Sequence, residues 1–203
     1  NFSIHLVHGL LGQTGFRLVS TPTFIPAYIL LLSGGSDIAV GLALSLCREE
    51  DGDCRVVELA ALLHDITKTR SFKTQENHAL TGGEFLAEQG YAEVGELVRQ
   101  HVRLDEYPEP VTIREAEIIN YADKRVLHDE IVGLDKRMDY ILERYGRLPE
   151  HQQRIHWLWG RTRIMEEEMF SELGTAPQDL NRLLASGDLQ RDFAEYQKAC
   201  SPI

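Results

Sequence analysis

The chain has 203 residues, with 21 basic and 32 acidic side chains, and its formal net charge at pH 7 is −11. This balance argues against a protein that grips nucleic acid through its phosphates and against a polybasic membrane contact. The hydrophobic content of 43% allows a sizeable buried core, and the length is typical of one domain.

The cysteines and the apolar stretches predict the compartment. Cys47, Cys54 and Cys200 form no CxxC pair and no even disulfide framework, so we expect a reducing, cytoplasmic location. The longest apolar stretch covers residues 24–32 and contains Pro26, whereas a membrane-spanning helix needs about 20 apolar residues. The sequence therefore predicts no membrane span.

Residues 1–35 differ in composition from the rest of the chain. They are apolar and contain one charged side chain, Arg17. Gly9, Gly12 and Gly15 follow neither the dinucleotide-binding glycine pattern nor a P-loop. We interpret this part as a loop or packing segment and leave it without an assigned function.

Helical periodicity begins after this segment. Apolar residues at every fourth position predict a helix that ends in the acidic turn at residues 49–53. A denser apolar pattern over residues 56–66 predicts a buried helix. Asn77 is a suitable cap for a helix over about residues 78–89, and the same spacing predicts another helix over residues 94–101.

The second half of the chain is also helical in pattern. After two prolines, Thr112 and Glu115 form a capping box that opens a long helix. Further helices are predicted over residues 135–145 and 150–172, with a shorter one beyond Asp188. Strand-like alternation is nearly absent, so the predicted fold class is all-α.

The strongest chemical signal is the adjacent pair His64-Asp65, at the end of the most hydrophobic predicted helix. Burying ionisable groups costs free energy unless they are hydrogen-bonded, paired or bound to metal. A neutral imidazole beside a carboxylate is typical of a divalent-metal site. The simpler interpretation is a helix-end histidine next to an aspartate that accepts backbone hydrogen bonds.

Three further polar residues fall near the apolar faces of later helices, namely His78, His101 and Asp123. Each one alone fits a structural role in a core. Together with the pair at 64–65 they lie on four successive helices, and helix bundles build metal sites from facing helices in this way.

In this order the residues resemble the HD superfamily of metal-dependent phosphohydrolases. Residues 64–68 match the central signature of that family, with Thr67 where many members have glycine. Residues 121–124 resemble the segment that carries the closing aspartate ligand. The segments at His78 and His101 resemble the two extra histidines of members with a two-metal site.

The resemblance covers about residues 36–145 and is closest to small bacterial HD modules. It implies an all-α, HD-domain-like bundle with a metal site in its core, and residues 146–203 are expected to be a C-terminal helical extension that packs on it. The implied cofactor is one or two divalent ions, drawn from Mn, Fe, Co, Ni, Zn and Mg.

The resemblance also implies a reaction, the hydrolysis of a nucleotide or similar small phosphate ester by metal-activated water. Asp65 would bridge the metals and Lys68 would stabilise negative charge on the phosphate, although Lys68 is equally explained as a cation at a helix C-terminus. Arg103 and Lys124 are further candidate substrate contacts. The implied metal ligands are His64, Asp65, His78, His101 and Asp123.

One position departs from the family pattern. Ser36 stands where the family supplies its first histidine ligand, so Asp37, His5 or His8 would have to replace it. The alternatives are weakened metal binding, an altered site or lost activity. Two other functions therefore stay open: an impaired HD-fold ligand-binding or regulatory module, and an all-α interaction domain whose apolar N-terminal segment docks on a partner or on a second copy in a homodimer.

Overall fold

The computed structural model describes residues 34–48, 53–128 and 130–184. These residues form nine α-helices, one 3-10 helix and one hairpin of two short strands, so the fold is all-α as predicted. Within these ranges no helix is long and apolar enough to cross a membrane. In chain order the elements are α1 Gly34–Leu46, α2 Cys54–Leu63, α3 Lys68–Thr74, α4 His78–Glu88, α5 Ala92–Gln100, α6 Glu115–Lys124, β1 Val126–Leu127, β2 Glu130–Ile131, α7 Leu134–Tyr145, α8 Pro149–Leu173, the 3-10 helix Pro177–Asp179 and α9 Leu180–Leu184.

The buried helix α2 lies at the centre of the core, where it packs against α1, α5 and α6. Seven of its ten residues are buried, which its dense apolar pattern predicts. The helix ends at Leu63, and residues 64–67 form a turn before α3 begins. The polar residues that follow the apolar run are therefore placed at the end of a rigid, buried element.

Helices α4 and α5 form a tightly packed pair. A Cβ atom added to Gly83 would lie 2.6 Å from the carbonyl oxygen of Gly95, and one added to Gly95 would lie 2.5 Å from that of Gly83. Only glycine allows the two backbones to approach this closely. The start of α4 and the end of α5 lie at the same end of the pair, where His78 and His101 come together.

The start of α6 differs from the prediction. The predicted capping box of Thr112 and Glu115 is wrong, because the helix begins at Glu115 and Arg114 occupies the N-cap position. The backbone N–H of Arg114 donates to the Glu117 carboxylate at 3.1 Å, which is the reverse half of a capping box placed two residues later. The helix is also shorter than expected, with ten residues, because the chain turns into the β1–β2 hairpin.

The later helices agree with the prediction more closely. α7 ends at Gly146, as predicted, and α8 covers 25 residues from Pro149 to Leu173. The predicted short helix beyond Asp188 and the unassigned residues 1–33 lie outside the described residues.

Cys47 and Cys54 are joined by a disulfide, with their Cα atoms 5.8 Å apart. The expectation of no disulfide is therefore wrong, and the cytoplasmic location inferred from it loses that support. The bond forms because α1 ends at Leu46, α2 begins at Cys54, and the two helices pack on each other. A spacing of seven residues with no CxxC pair does not indicate which helix ends will meet.

Candidate metal centre

The five predicted ligand residues converge at the ends of four helices. His64 is the C-cap of α2 and is followed by Asp65, and His78 is the first residue of α4. His101 is the C-cap of α5, and Asp123 lies in the last turn of α6. Convergence follows from the packing of α2 against α5 and α6 and from the α4–α5 pair.

Asp65 is the centre of the group. Its Oδ1 atom lies 3.3 Å from Nε2 of His78 and 3.7 Å from Nε2 of His101. Its Oδ2 atom lies 3.4 Å from Nε2 of His64 and 2.6 Å from the Lys68 ammonium. Within the described residues, Oδ1 is buried with no hydrogen-bond partner. Such an atom costs free energy unless something binds it.

Two of the imidazoles are oriented by a hydrogen bond from Nδ1 to the carbonyl oxygen three residues earlier in the chain. His64 Nδ1 lies 2.7 Å from the carbonyl oxygen of Ala61, and His101 Nδ1 lies 2.6 Å from that of Val98. A carbonyl only accepts, so in both rings Nδ1 carries the proton and donates. These carbonyls belong to the last helical turn, where carbonyls lack the regular N–H partner four residues on. The Val98 carbonyl also accepts the backbone N–H of His101 at 3.3 Å. Each ring therefore turns Nε2, with its lone pair when neutral, toward the centre.

His78 and His101 face each other through Nε2 atoms that are 3.2 Å apart. Burial, together with the neighbouring His64, lowers the pKa of His101 to about 3, so its ring is neutral. One ligand atom each from Asp65, His78 and His101 lie within 4.8 Å of one another. Two imidazole nitrogens and a carboxylate oxygen without a hydrogen-bond partner are atoms that typically bind a divalent cation.

Both carboxylates of the group are ionised. Burial raises the pKa of Asp65, but His64, His78 and Lys68 outweigh it and hold the pKa well below the ordinary value. Asp123 behaves in the same way, with its pKa raised by burial and lowered more by the surrounding positive groups. Burial lowers the pKa of His64, and the two carboxylates outweigh burial and raise it. The group therefore supplies two anionic carboxylates beside its imidazole nitrogens, and this set of atoms suits a divalent cation.

Thr67 connects the turn after the His-Asp pair to the start of α4. Its side chain is buried, and Oγ1 donates to the carbonyl oxygen of His78 at 2.8 Å and lies 3.0 Å from Oγ1 of Thr81. A glycine at this position would lack the hydroxyl. Thr67 thus links Asp65 to His78 through the backbone.

The candidate substrate contacts separate into two kinds. Lys68 lies beside Asp65 at 2.6 Å and is 43% exposed, so it reaches both the centre and solvent. It opens α3 and is not a cation at a helix C-terminus. Arg103 is exposed and forms no ion pair with the five residues among the parts of the chain described.

Lys124 is not directed at the centre. It is buried, and Nζ donates to Oδ1 of Asn120 at 2.5 Å and to the carbonyl oxygen of Val102 at 3.4 Å. Asn120 in turn donates to the carbonyl oxygen of His101 at 3.0 Å. Burial lowers the pKa of Lys124 to about 8. Lys124 therefore supports the segment that carries His101 and is not available to a substrate.

Sequence reasoning missed Arg137, which lies on α7 with its Nη2 atom 3.9 Å from Oδ1 of Asp123. Its side chain is 14% exposed. The signal that could have found it is a basic residue on the core-facing side of an amphipathic helix, between Leu134 and Ile141.

The departure at Ser36 is not decided by the described side chains. Ser36 and Asp37 belong to α1, but their side chains lie outside the described part, as do His5 and His8.

Comparison with known proteins agrees with the resemblance seen in the sequence. Residues 38–126 match the family described as HD domain, and all five predicted ligand residues fall inside this match. A solved structure described as a predicted HD superfamily hydrolase, from an uncultured Thermotogales bacterium, is 19% identical. That alignment covers 90% of this chain and 89% of the other, with a TM-score of 0.39. No curated protein matches the chain.

Proposed function

Since residues 38–126 of this chain match the HD domain family, we propose that the protein is a metal-dependent phosphohydrolase acting on a small phosphate ester such as a nucleotide. One observation carries the proposal. In a buried cluster, the carboxylate of Asp65 lies within 3.7 Å of Nε2 atoms from His64, His78 and His101, and one of its oxygens has no hydrogen-bond partner among the described residues.

The residues that would hold one or two divalent ions supply nitrogen and oxygen atoms that suit several first-row metals and Mg. A bound divalent ion polarises a phosphoryl oxygen and makes water more acidic at the site. The proposed ligands are His64, Asp65, His78, His101 and Asp123.

The surrounding residues prepare the site for this chemistry. The Nδ1 hydrogen bonds of His64 and His101 orient both rings and direct Nε2 of each ring toward the centre. Lys68 is placed to bind a phosphate oxygen and to stabilise the negative charge that develops on it. The contact of Lys68 with Asp65 keeps its ammonium beside the proposed metal ligands.

A hydrolysis panel tests the proposal. Protein loaded with Mn²⁺ or Ni²⁺ is offered nucleotides, simple phosphate monoesters and diesters, and release of phosphate or alcohol is measured. We expect turnover that EDTA abolishes and added metal restores. Metal-loaded protein that hydrolyses none of these esters would contradict the proposal and favour the ligand-binding alternative.

The matched variants are Asp123→Asn and Asp139→Asn. The first replaces a carboxylate 3.7 Å from His64 Nε2, whereas the second replaces an exposed carboxylate on α7. We expect Asp123→Asn to lose most turnover at saturating metal, since an amide cannot supply an anionic ligand, and Asp139→Asn to keep it. Equal rates in both variants would remove Asp123 from the site.

A further inference from the structure

Arg137 is a cation at the edge of the candidate centre. Its guanidinium has five N–H donors, yet no side-chain hydrogen bond from it is found within the described residues, and Nε is buried with no partner. The distance of 3.9 Å to Asp123 is that of an ion pair without a hydrogen bond. The guanidinium also lies over the ring of Tyr140, at 5.7 Å from its centroid. This ring contact restricts the orientation of the guanidinium.

Lys68 and Arg137 flank the two carboxylates of the centre. Lys68 contacts Asp65, and Arg137 lies next to Asp123. Nε2 of His64 lies 3.4 Å from Oδ2 of Asp65 and 3.7 Å from Oδ1 of Asp123, so the two carboxylates and their two cations border the same pocket. When the carboxylates bind a metal ion, the two cations beside them would be available to an oxyanion.

The charges at the centre indicate the class of anion. Asp65 and Asp123 contribute −2, and Lys68 and Arg137 contribute +2, so these side chains sum to zero. The three histidines add no charge, because imidazoles that bind metal do so in their neutral form. The ligand atoms of Asp65, His78 and His101 that lie within 4.8 Å of one another could hold one divalent ion, which would bring the sum to +2. A phosphate monoester, with a charge of about −1.5 to −2 at neutral pH, balances that sum, whereas a diester with a single charge does not.

We propose that Lys68 and Arg137 together bind the phosphoryl group of the substrate, and that the substrate is a phosphate monoester. This inference rests on the proposed function, because it assigns the substrate class of the same site. Arg137 is a binding residue here, and its planar N–H groups suit two oxygens of one phosphoryl group.

Calorimetric titration of inorganic phosphate into the Mn²⁺-loaded protein measures the phosphate affinity of the Lys68–Arg137 pair without relying on turnover. We expect Arg137→Gln to weaken phosphate binding by about 10- to 100-fold, the effect of losing a hydrogen bond to a charged group, with metal content unchanged. Arg144→Gln is the matched control, because Arg144 is exposed in the last turn of the same helix. Its phosphate affinity should stay within about twofold of wild type. Wild-type phosphate affinity in Arg137→Gln would overturn the inference.

A second measurement follows phosphate binding in the wild-type protein and uses a variant only to assign one signal. Arginine Nε–H signals of the Zn²⁺-loaded wild-type protein are recorded by NMR during a phosphate titration. The signal of Arg137, assigned from its absence in Arg137→Lys, should shift with phosphate, and that of Arg144 should not. Saturation of phosphate binding without a shift at Arg137 would overturn the inference even if Arg137→Gln failed to fold.

The substrate class is tested with 4-nitrophenyl phosphate and bis(4-nitrophenyl) phosphate, which share a leaving group. We expect kcat/KM to favour the monoester, and Arg137→Gln to lose most of that preference. A faster diester reaction would overturn the monoester assignment and leave the phosphohydrolase proposal standing. Phosphate binding that depends on Arg137, with no ester hydrolysed, would support the binding pair and overturn the hydrolase.

Discussion

Two buried polar clusters include residues of α6 or of its C-cap, and they differ in whether their charged groups have hydrogen-bond partners. In the first, Arg125 donates to Glu166 at 2.9 Å and to the carbonyl oxygen of Val132 at 2.6 Å, and Tyr121 donates to Glu166 at 2.5 Å. In the candidate metal centre, the unpartnered Oδ1 of Asp65 faces Nε2 atoms.

Complete internal hydrogen bonding distinguishes a structural polar cluster from a binding site. The Arg125–Glu166 cluster pairs donors with acceptors and so completes its own hydrogen bonding, which joins α6 to α8. In the centre around Asp65, Lys68 pairs with one carboxylate oxygen, but the other oxygen is buried without a hydrogen-bond partner among the described residues. A bound cation would stabilise that oxygen. Mutations should therefore separate stability from function between the two clusters.

The largest expected effect is that of Asp65→Asn. Since loss of an outer partner of a metal ligand already costs about 10- to 100-fold in affinity, loss of this carboxylate should weaken metal binding by at least about 100-fold. The metal-free variant should melt slightly below the wild-type temperature, because the ion pair with the partly exposed Lys68 is lost while the size of the side chain is kept. Elemental analysis and thermal melting check both statements. Unchanged metal stoichiometry would contradict the centre as described.

Glu166→Gln should lower the stability of the protein and leave its metal binding unchanged. It leaves the buried Arg125 guanidinium without its counter-ion, and breaking a buried pair costs about 3 to 5 kcal/mol. Metal content should stay at the wild-type value in protein that remains folded. Chemical denaturation measures the loss, and Glu168→Gln is the control, because Glu168 is exposed on the same helix. A variant as stable as wild type would show that this cluster contributes nothing to folding.

Gly95→Ala tests whether the centre depends on the α4–α5 contact. The added methyl would meet the Gly83 carbonyl oxygen at 2.5 Å, and such overpacking costs about 1 to 3 kcal/mol. Because His78 and His101 come from these two helices, metal affinity should fall as well. Gly160→Ala on α8 is the control, since nothing lies within 4 Å of its added Cβ. Loss of stability without any change in metal affinity would uncouple the helix pair from the centre.

The smallest effect expected is that of Cys54→Ser. The disulfide closes a short loop, and a bond of this kind contributes about 2 kcal/mol. Melting temperature should fall in both the metal-free and the metal-loaded protein, with the same metal affinity. Mass spectrometry without reductant checks the bond itself, through a mass 2 Da below that of the reduced chain. Free thiols at both positions in unreduced protein would contradict the bond.

Much of the helical framework could be predicted because its signals are local. The Asn77 cap was predicted from the sequence, and its side chain accepts the N–H groups of Ala79 and Leu80. The capping box at Thr112 failed because the prolines before it leave several starts open, and only packing selects one. The five-residue set could be named in order, because it resembles the ligand series of the HD superfamily and its members fall on successive predicted helices.

Lys68 and Lys124 have different roles because their side chains differ in burial. Lys68 follows Asp65 by three residues and Lys124 follows Asp123 directly, and the sequence predicts a substrate contact for both. Lys68 reaches the centre and solvent, whereas Lys124 is buried against Asn120 and Val102. Which lysine can meet a substrate depends on the surfaces packed over it, and no local pattern contains that information.

By itself, the sequence determined the all-α class, the approximate helices and the His-Asp series, because periodicity and residue chemistry are properties of short segments. The tertiary structure alone decided that Cys47 bonds Cys54, that Nε2 of His64 and His101 face Asp65, and that Arg137 reaches Asp123. These contacts depend on how helices distant in the chain pack against one another. Packing is set by the whole core at once, so residues with no shared motif are brought within a few ångströms of one another.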